Sequence, residues 1–521
     1  MMGGWDADNL RLELGIPDTQ PILSQDRTQQ VKAHPQRIDT LQYLRGVAAL
    51  SVVLYHASFY LNAYNGDASF LATFGGGFGA FGVLIFFALS GYLMAVQATK
   101  MAGRPMLFMI HRLIRIYPIF WLVCLIRILV AYALNRGGQF DPVVLMLSPV
   151  GERDYVLGVE WTLVYEVAFY ILVCAVIVVR LEQWISLIGI GWIVSIFVYT
   201  RIHGFYSPQF TTSLLGVPMS ATCAAFAAGL AMPALLARNW IGWPALPLGV
   251  FLVALANLAD FAAFGIVIAG IGCAAIVEWT ASSAQGSGRS SVLRRLGDWS
   301  YALYLVHVPI VITVGVLTTG VNKLVVWPAM IVLALVGASL FGATDIALYT
   351  RLRRITDGWG WRTQAVTLTA FAALFIASMV LSHDQRREEK TFAQTASDDK
   401  LIIEALQRMG YHQDDQLAGQ LESVVRAGGL TYLAGWVNDP HDILNRTSML
   451  LSTGSTSTVS IPRSYKYDVI RAFGPAGHLA PTAFRKAIPD ASCPPGLIVR
   501  TVAISRAYKT YRELNAATCP P

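Results

Sequence analysis

The chain has 521 residues, 55% of them hydrophobic and 14% charged, with a mean hydropathy of +0.51, where an average soluble protein is about a quarter charged. That composition excludes a single soluble globule. The net charge of +7 does not argue for nucleic acid as a partner, because basic residues beside apolar spans set membrane topology.

The first 36 residues are polar and contain Pro17, Pro21 and Pro35, without the basic start, short apolar core and cleavage site of a signal peptide. They are expected to remain in the mature chain, with the first apolar segment as an anchor. A span needs about 20 apolar residues, and eleven segments qualify: 41–60, 78–98, 116–134, 162–180, 184–200, 212–236, 244–260, 262–280, 300–318, 325–349 and 364–382. Between them, alternate hydrophilic segments hold seventeen Lys/Arg on one side and only Arg136, Arg153, Arg201 and Lys323 on the other. The positive-inside rule then puts the N-terminus in the cytoplasm. An odd number of spans puts the tail on the opposite side.

Residues 1–382 hold 23 Lys/Arg and 18 Asp/Glu, whereas the shorter stretch 383–521 holds 16 and 14. The charge density roughly doubles, which marks a water-soluble unit. The expected fold is an all-α multi-pass membrane helix bundle of ten core spans plus an eleventh, followed by a small α+β soluble extracytoplasmic domain. Its divisions are a cytoplasmic segment 1–36, a membrane domain 37–355, a linker and eleventh span 356–382, and the tail 383–521.

Cys124, Cys174, Cys223 and Cys273 lie in apolar runs without CxxC spacing, so packing is expected of them and metal binding is not. Cys493 and Cys519 in the tail are open to two readings, a disulfide or two thiols. Leu401, Ile402, Ala405 and Leu406, then Leu417, Leu421, Val424 and Val425, have helical spacing and predict two short helices. Runs 430–437, 448–451, 459–461 and 496–504 predict strands, and 452–460 an exposed hairpin or loop. The tail has no Gly-Asp-Ser or Gly-x-Ser-x-Gly nucleophile signal.

Ionisable residues inside apolar spans are functional candidates by default. Arg45 and His56 are eleven residues apart in the first span. At about 100° and 1.5 Å per residue they share a helix face and stand about 16 Å apart along the axis. Glu166, counted from the outer end of the fourth span, reaches about the depth of His56, where a carboxylate would orient the imidazole. His307 lies in the ninth span. Arg112 and Arg115, three residues apart, form a fork suited to phosphate. Each also has a plainer reading: an interfacial histidine, a snorkelling arginine, a structural glutamate, ordinary positive-inside residues. Gly75, Gly76, Gly77, Gly79 and Gly82 suggest close helix packing.

Taken together, five ordered motifs over about residues 37–350 resemble the acyltransferase 3 family of multi-pass membrane proteins, particularly its bacterial exopolysaccharide-acetylating branch. They are the stretch from Leu41 to His56, Phe87-Ala-Leu-Ser-Gly-Tyr-Leu93, Arg112-Leu-Ile-Arg-Ile-Tyr-Pro118, Trp161-Thr-Leu-Val-Tyr-Glu166 and Ser300-Tyr-Ala-Leu-Tyr-Leu-Val-His307. Glu160 before Trp161 departs from the expected pattern, and the tail lies outside the resemblance.

The resemblance implies a helix bundle that moves an acyl group, usually acetyl, from cytoplasmic acyl-CoA to a carbohydrate hydroxyl at the outer face. It implies a catalytic role for His56, and donor binding by Arg112 and Arg115. Adding the residue reading, we expect Glu166 to orient His56 and Arg45 to join the donor site. Trp161, Tyr301, Tyr304 and His307 are expected to line the acceptor path. No cofactor is expected to stay bound, since acyl-CoA is a substrate. Expected partners are membrane lipid, a polysaccharide or glycolipid acceptor and glycan-assembly proteins, at a bacterial inner membrane. The competing readings are a transporter or lipid-carrier exporter with a proton path through His56, Glu166 and His307, and a sensor or scaffold presenting the tail.

Overall fold

A computed structural model describes residues 34–75, 77–133, 142–149, 151–152, 155–203, 211–212, 214–237, 244–258, 262–282, 291–318, 320–395, 402–427, 430–440, 447–453, 457–460, 483–505 and 508–521. Most of the polar N-terminal segment, and Arg11, Arg27, Lys32, Arg136, Arg153, Arg238 and Arg289 of the charge count, lie outside these residues.

The helices run α1 (His34–Asn65), α2 (Ser69–Phe74), α3 (Gly77–Lys100), α4 (Pro105–Ala133), α5 (Trp161–Val178), α6 (Ile185–His203), α7 (Gly216–Met219) and α8 (Cys223–Ala237). They continue with α9 (Ala245–Leu258), α10 (Ala262–Ser282), α11 (Ser291–Asp298), α12 (Ser300–Leu317), α13 (Lys323–Asp357), α14 (Trp361–Thr395) and α15 (Ile402–Arg408). Among the described residues, eight helices are long and apolar enough to cross a membrane. Three of the expected spans coincide with shorter apolar helices, Cys223–Leu235, Ala245–Ala256 and Ser300–Gly315. Large apolar side chains such as Leu340, Val366 and Leu374 point outward, as a protein in lipid requires.

Helix α1 is the hub, packing against α3, α10, α11, α12 and α13. Small residues make that possible. A Cβ added at Gly82 of α3 would lie 2.5 Å from Ser51 Oγ and 2.6 Å from the Ala48 carbonyl, and one at Gly79 would lie 2.7 Å from the Tyr55 ring. The backbone of α3 therefore rests directly on the face of α1 that carries Tyr55.

Between α4 and α5 the chain dips into the bundle as a 3-10 turn, Pro142–Met146, and a buried stretch through Val156, Leu157, Val159 and Glu160. Three of its backbone carbonyls accept from side chains: Tyr117 Oη donates to Met146 O (2.9 Å), Trp121 Nε1 to Leu145 O (3.0 Å) and Tyr304 Oη to Val159 O (3.3 Å). Two short strands, β1 (Gly151–Glu152) and β2 (Thr211–Thr212), pair antiparallel. Helix α14 packs on α4 and on the 3-10 turn, with Phe371 edge-on to Tyr117 at 5.1 Å, and continues past residue 382 to Thr395.

The tail holds β3 (His412–Gln413), β4 (Ala418–Ala427), β5 (Leu430–Asn438), β6 (Thr447–Ser452), β7 (Ser457–Ser460), β8 (Ala483–Pro489), β9 (Ile498–Ser505), β10 (Thr510–Glu513) and β11 (Ala517–Thr518). One sheet has the order β3-β10-β9-β6-β7 with β11 added to β9, and the other β4-β5-β8. Leu421, Leu433, Met449, Phe484 and Val499 are buried in a shared core. Cys493 and Cys519 form a disulfide. Of the two helices expected at the start of the tail, the first is α15 and the second is β4. A register shift between Leu421 and Ser423 breaks the strict alternation of the strand. Leu421 and Val424 thus follow each other toward the core at an interval that imitates a helix turn.

Replacing Gly82 by valine should overpack the α1–α3 contact and lower stability by about 1–3 kcal/mol, read as a lower thermal midpoint of the purified protein.

Candidate functional site

Two groups of polar side chains lie inside the bundle. The first centres on His56 of α1. Its Nδ1 lies 3.0 Å from Val52 O and 3.2 Å from Nε2 of His307 on α12. The Nδ1 of His307 lies 3.0 Å from Leu303 O. A carbonyl oxygen only accepts, so each Nδ1 carries the proton in the neutral pair. His307 Nε2 is then a lone-pair acceptor for the Nδ1–H of His56, and the Nε2 of His56 is left bare. His307 is fully buried, and His56 is half-buried. Tyr55 meets the His56 ring edge-on at 4.9 Å and Tyr60 stacks at 6.2 Å.

Beyond the C-terminal end of α1, Lys323 Nζ lies 2.6 Å from Asp67 Oδ2, and the amide and hydroxyl of Ser69 donate to Asp67 Oδ1. Lys323 and Ser69 hold the Asp67 carboxyl down at about 2. The clasp ties the α1–α2 turn to the start of α13.

The second group is cationic. Arg115 of α4 donates twice from Nη1 to the Asp345 carboxylate of α13, at 2.7 and 2.9 Å, with its guanidinium 4.8 Å from the Tyr301 ring and 5.6 Å from that of Tyr349. Arg112 lies over Phe108 and Tyr170, at 5.8 and 5.7 Å, and its buried Nε has no hydrogen-bond partner. Arg45 lies within electrostatic reach of the Glu166 and Asp298 carboxylates and of the Arg115 guanidinium. Glu166 accepts a hydrogen bond from Tyr170 of its own helix.

The structure thus brings Arg45, Arg115 and Glu166 into one neighbourhood and His56 and His307 into another. Glu166 is not brought to His56. The expected shared depth counted α5 from the outer surface, but α5 is preceded by the buried stretch around Leu157 and Glu160 and so begins inside the bundle. Tyr304 Oη pairs with Thr162 Oγ1 at 2.7 Å, and Tyr301 Oη donates to Ile116 O at 2.9 Å. These two hydroxyls therefore tether α12 to α5 and α4. Trp161 packs edge-on against Tyr165 at 5.9 Å. Glu160 Oε1 accepts the Leu157 amide at 2.6 Å, so this departure from the motif pins the turn leading into α5.

Asp345 escaped the sequence reading, although an acid inside an apolar segment is the same signal that singled out Glu166. Glu278 of α10 is another such acid: fully buried, with no hydrogen-bond partner on either oxygen.

The described residues thus hold an imidazole pair and a separate guanidinium cluster, both inside an apolar helix bundle. Residues 38–343 match the acyltransferase domain family, and the chain belongs to the acyltransferase 3 family. It is 27% identical over 303 residues to the exopolysaccharide production protein ExoZ of Rhizobium meliloti, covering 53% of this chain and 89% of that protein. It is 28% identical over 309 residues to the acyltransferase MdmB of Streptomyces mycarofaciens, covering 52% of this chain and 78% of that protein. No solved structure matches. The chain is therefore an acyl-transferring enzyme, and the transporter reading gives way.

Asp345→Leu should strand the Arg115 guanidinium and destabilise the fold by on the order of 3–5 kcal/mol. The double variant with Arg115→Leu should recover part of that loss in thermal unfolding.

Proposed function

We propose that this enzyme transfers an acyl group, acetyl in the simplest case, from cytoplasmic acyl-CoA to a hydroxyl of an exported or cell-surface polysaccharide. The observation that carries the reading is the bare Nε2 of His56, about 16 Å along α1 from Arg45. That separation suits a donor whose phosphates stay with arginines while its extended arm carries the thioester toward the imidazole. The name of the Rhizobium meliloti relative supports a polysaccharide acceptor.

In this reading His56 Nε2 takes the proton of the acceptor hydroxyl as its oxygen attacks the thioester carbon. The carbon–sulfur bond breaks, and the proton passes from Nε2 to the departing CoA sulfur. Arg112 and Arg45 hold donor phosphates. Arg115 commits Nη1 to Asp345, so in this reading it contributes mainly its charge and shapes the cluster. Glu166 balances Arg45 instead of orienting His56. Trp161, Tyr301 and Tyr304 hold the walls of the site.

We further assign ten core spans, the eleventh formed by α14, a cytoplasmic N-terminus and an extracytoplasmic tail in a bacterial inner membrane. The excess of basic residues in one set of loops supports this orientation. So does the Cys493–Cys519 disulfide, because such bonds persist in oxidising compartments. Membrane lipid and glycan-assembly proteins are the partners this placement offers.

The test is transfer of labelled acetyl from acetyl-CoA to isolated exported polysaccharide by the purified enzyme in nanodiscs. His56→Ala should lower kcat by at least ~100-fold. Wild-type transfer by that variant would overturn the catalytic role. Arg112→Ala should raise the KM for acetyl-CoA by about tenfold, the loss of one charge-assisted contact, and leave the acceptor KM unchanged.

A further inference from the structure

We infer that His307 is a positioning residue for the base, accepting the Nδ1–H of His56 and sharing the positive charge that forms when His56 takes the acceptor proton. This rests on the acyl-transfer reading of His56 above and adds a second residue to it.

The geometry leaves one consistent arrangement of protons in the neutral pair. Leu303 O, 3.0 Å from His307 Nδ1, fixes the proton of His307 on that nitrogen. Its Nε2, 3.2 Å from His56 Nδ1, therefore faces His56 with a lone pair. The Nδ1–H of His56 is shared between that lone pair and Val52 O at 3.0 Å. Other titratable rings near the pair are Tyr55 and Tyr60 beside His56 and Tyr304, 5.7 Å from His307. Each of these brings a neutral phenol in place of a carboxylate.

When Nε2 of His56 gains the acceptor proton, the ring becomes an imidazolium with both nitrogens protonated. Its Nδ1–H then makes a charge-assisted bond to His307 Nε2. No proton moves to His307. The bond strengthens only as charge develops and weakens again when Nε2 returns its proton to the CoA sulfur. Stabilisation of that kind lowers the barrier without tightening substrate binding. The rings are 5.0 Å apart at 61°, and complete burial of His307 shields the contact from water.

The test compares His307→Leu with His307→Gln in the acetyl-transfer assay, with folding checked by size-exclusion chromatography and acetyl-CoA binding. Leucine fills a buried apolar place but accepts no hydrogen bond, whereas the glutamine carbonyl still accepts one. We expect the leucine variant to lose ~10- to 100-fold in kcat, with the acetyl-CoA KM within about twofold of wild type. Glutamine should restore most of the rate. A residue that merely fills space would give the opposite order, and wild-type kcat in the leucine variant would overturn the role of His307.

A second measurement needs no change at His307. In 15N-histidine-labelled protein in bilayers, the His56 signals, identified by their loss in His56→Ala, should show a protonated Nδ1 and a bare Nε2. A protonated Nε2 in the neutral resting enzyme would overturn the assignment. Continued transfer by His56→Ala would instead overturn the acyl-transfer reading beneath it, so the two failures are distinguishable.

Discussion

Inside an apolar bundle no water is at hand to satisfy a stray donor or acceptor, so each polar group must be met by the protein. Helical backbone meets its own needs, but arginine, histidine, tyrosine and non-helical backbone do not. Much of this architecture follows from how they are matched. Arg115 holds Asp345 across from α4 to α13, Tyr301 reaches the backbone of α4, and Tyr304 reaches the entrance to α5. The polar residues that look like a site in sequence are thus also cross-braces. Removing one would be felt in the packing of the helices it joins.

The two polar groups are joined along a single rod. Helix α1 carries Arg45 and His56 without interruption, and its close seat on α3 through Gly79 and Gly82 fixes the rotation at which both are presented. Long-range placement of this kind costs little, because a straight helix transmits spacing with no further contacts.

Much of this was legible from residue order. Long apolar runs announced the membrane helices, and Arg45, Arg112, His56 and His307 stood out because charged or titratable groups in such runs need a reason. The short strands of the tail followed from clusters of Gly, Pro, Asn and Asp. What failed was depth and partnership. Glu166 was measured from the surface, although α5 begins beneath a buried loop, and residue spacing along a helix says nothing of where that helix begins in space. Helical spacing around Leu421 and Val424 came from a bulged strand, where an extra residue resets the alternation. The partners of His56 and Arg115 come from 251 and 230 residues away, and no local periodicity encodes such distances.

The segment between α4 and α5 is held by Tyr117, Trp121 and Tyr304, and all three donate to main-chain oxygens at Leu145, Met146 and Val159. Main-chain acceptors are blind to the amino acid that bears them. These three hydrogen bonds thus survive a change of side chain at the acceptor positions, whereas the turn into α5 depends on the Glu160 carboxylate that takes the Leu157 amide. Sequence drift in this segment therefore spares the hydrogen bonds at Leu145, Met146 and Val159 and breaks one at Glu160.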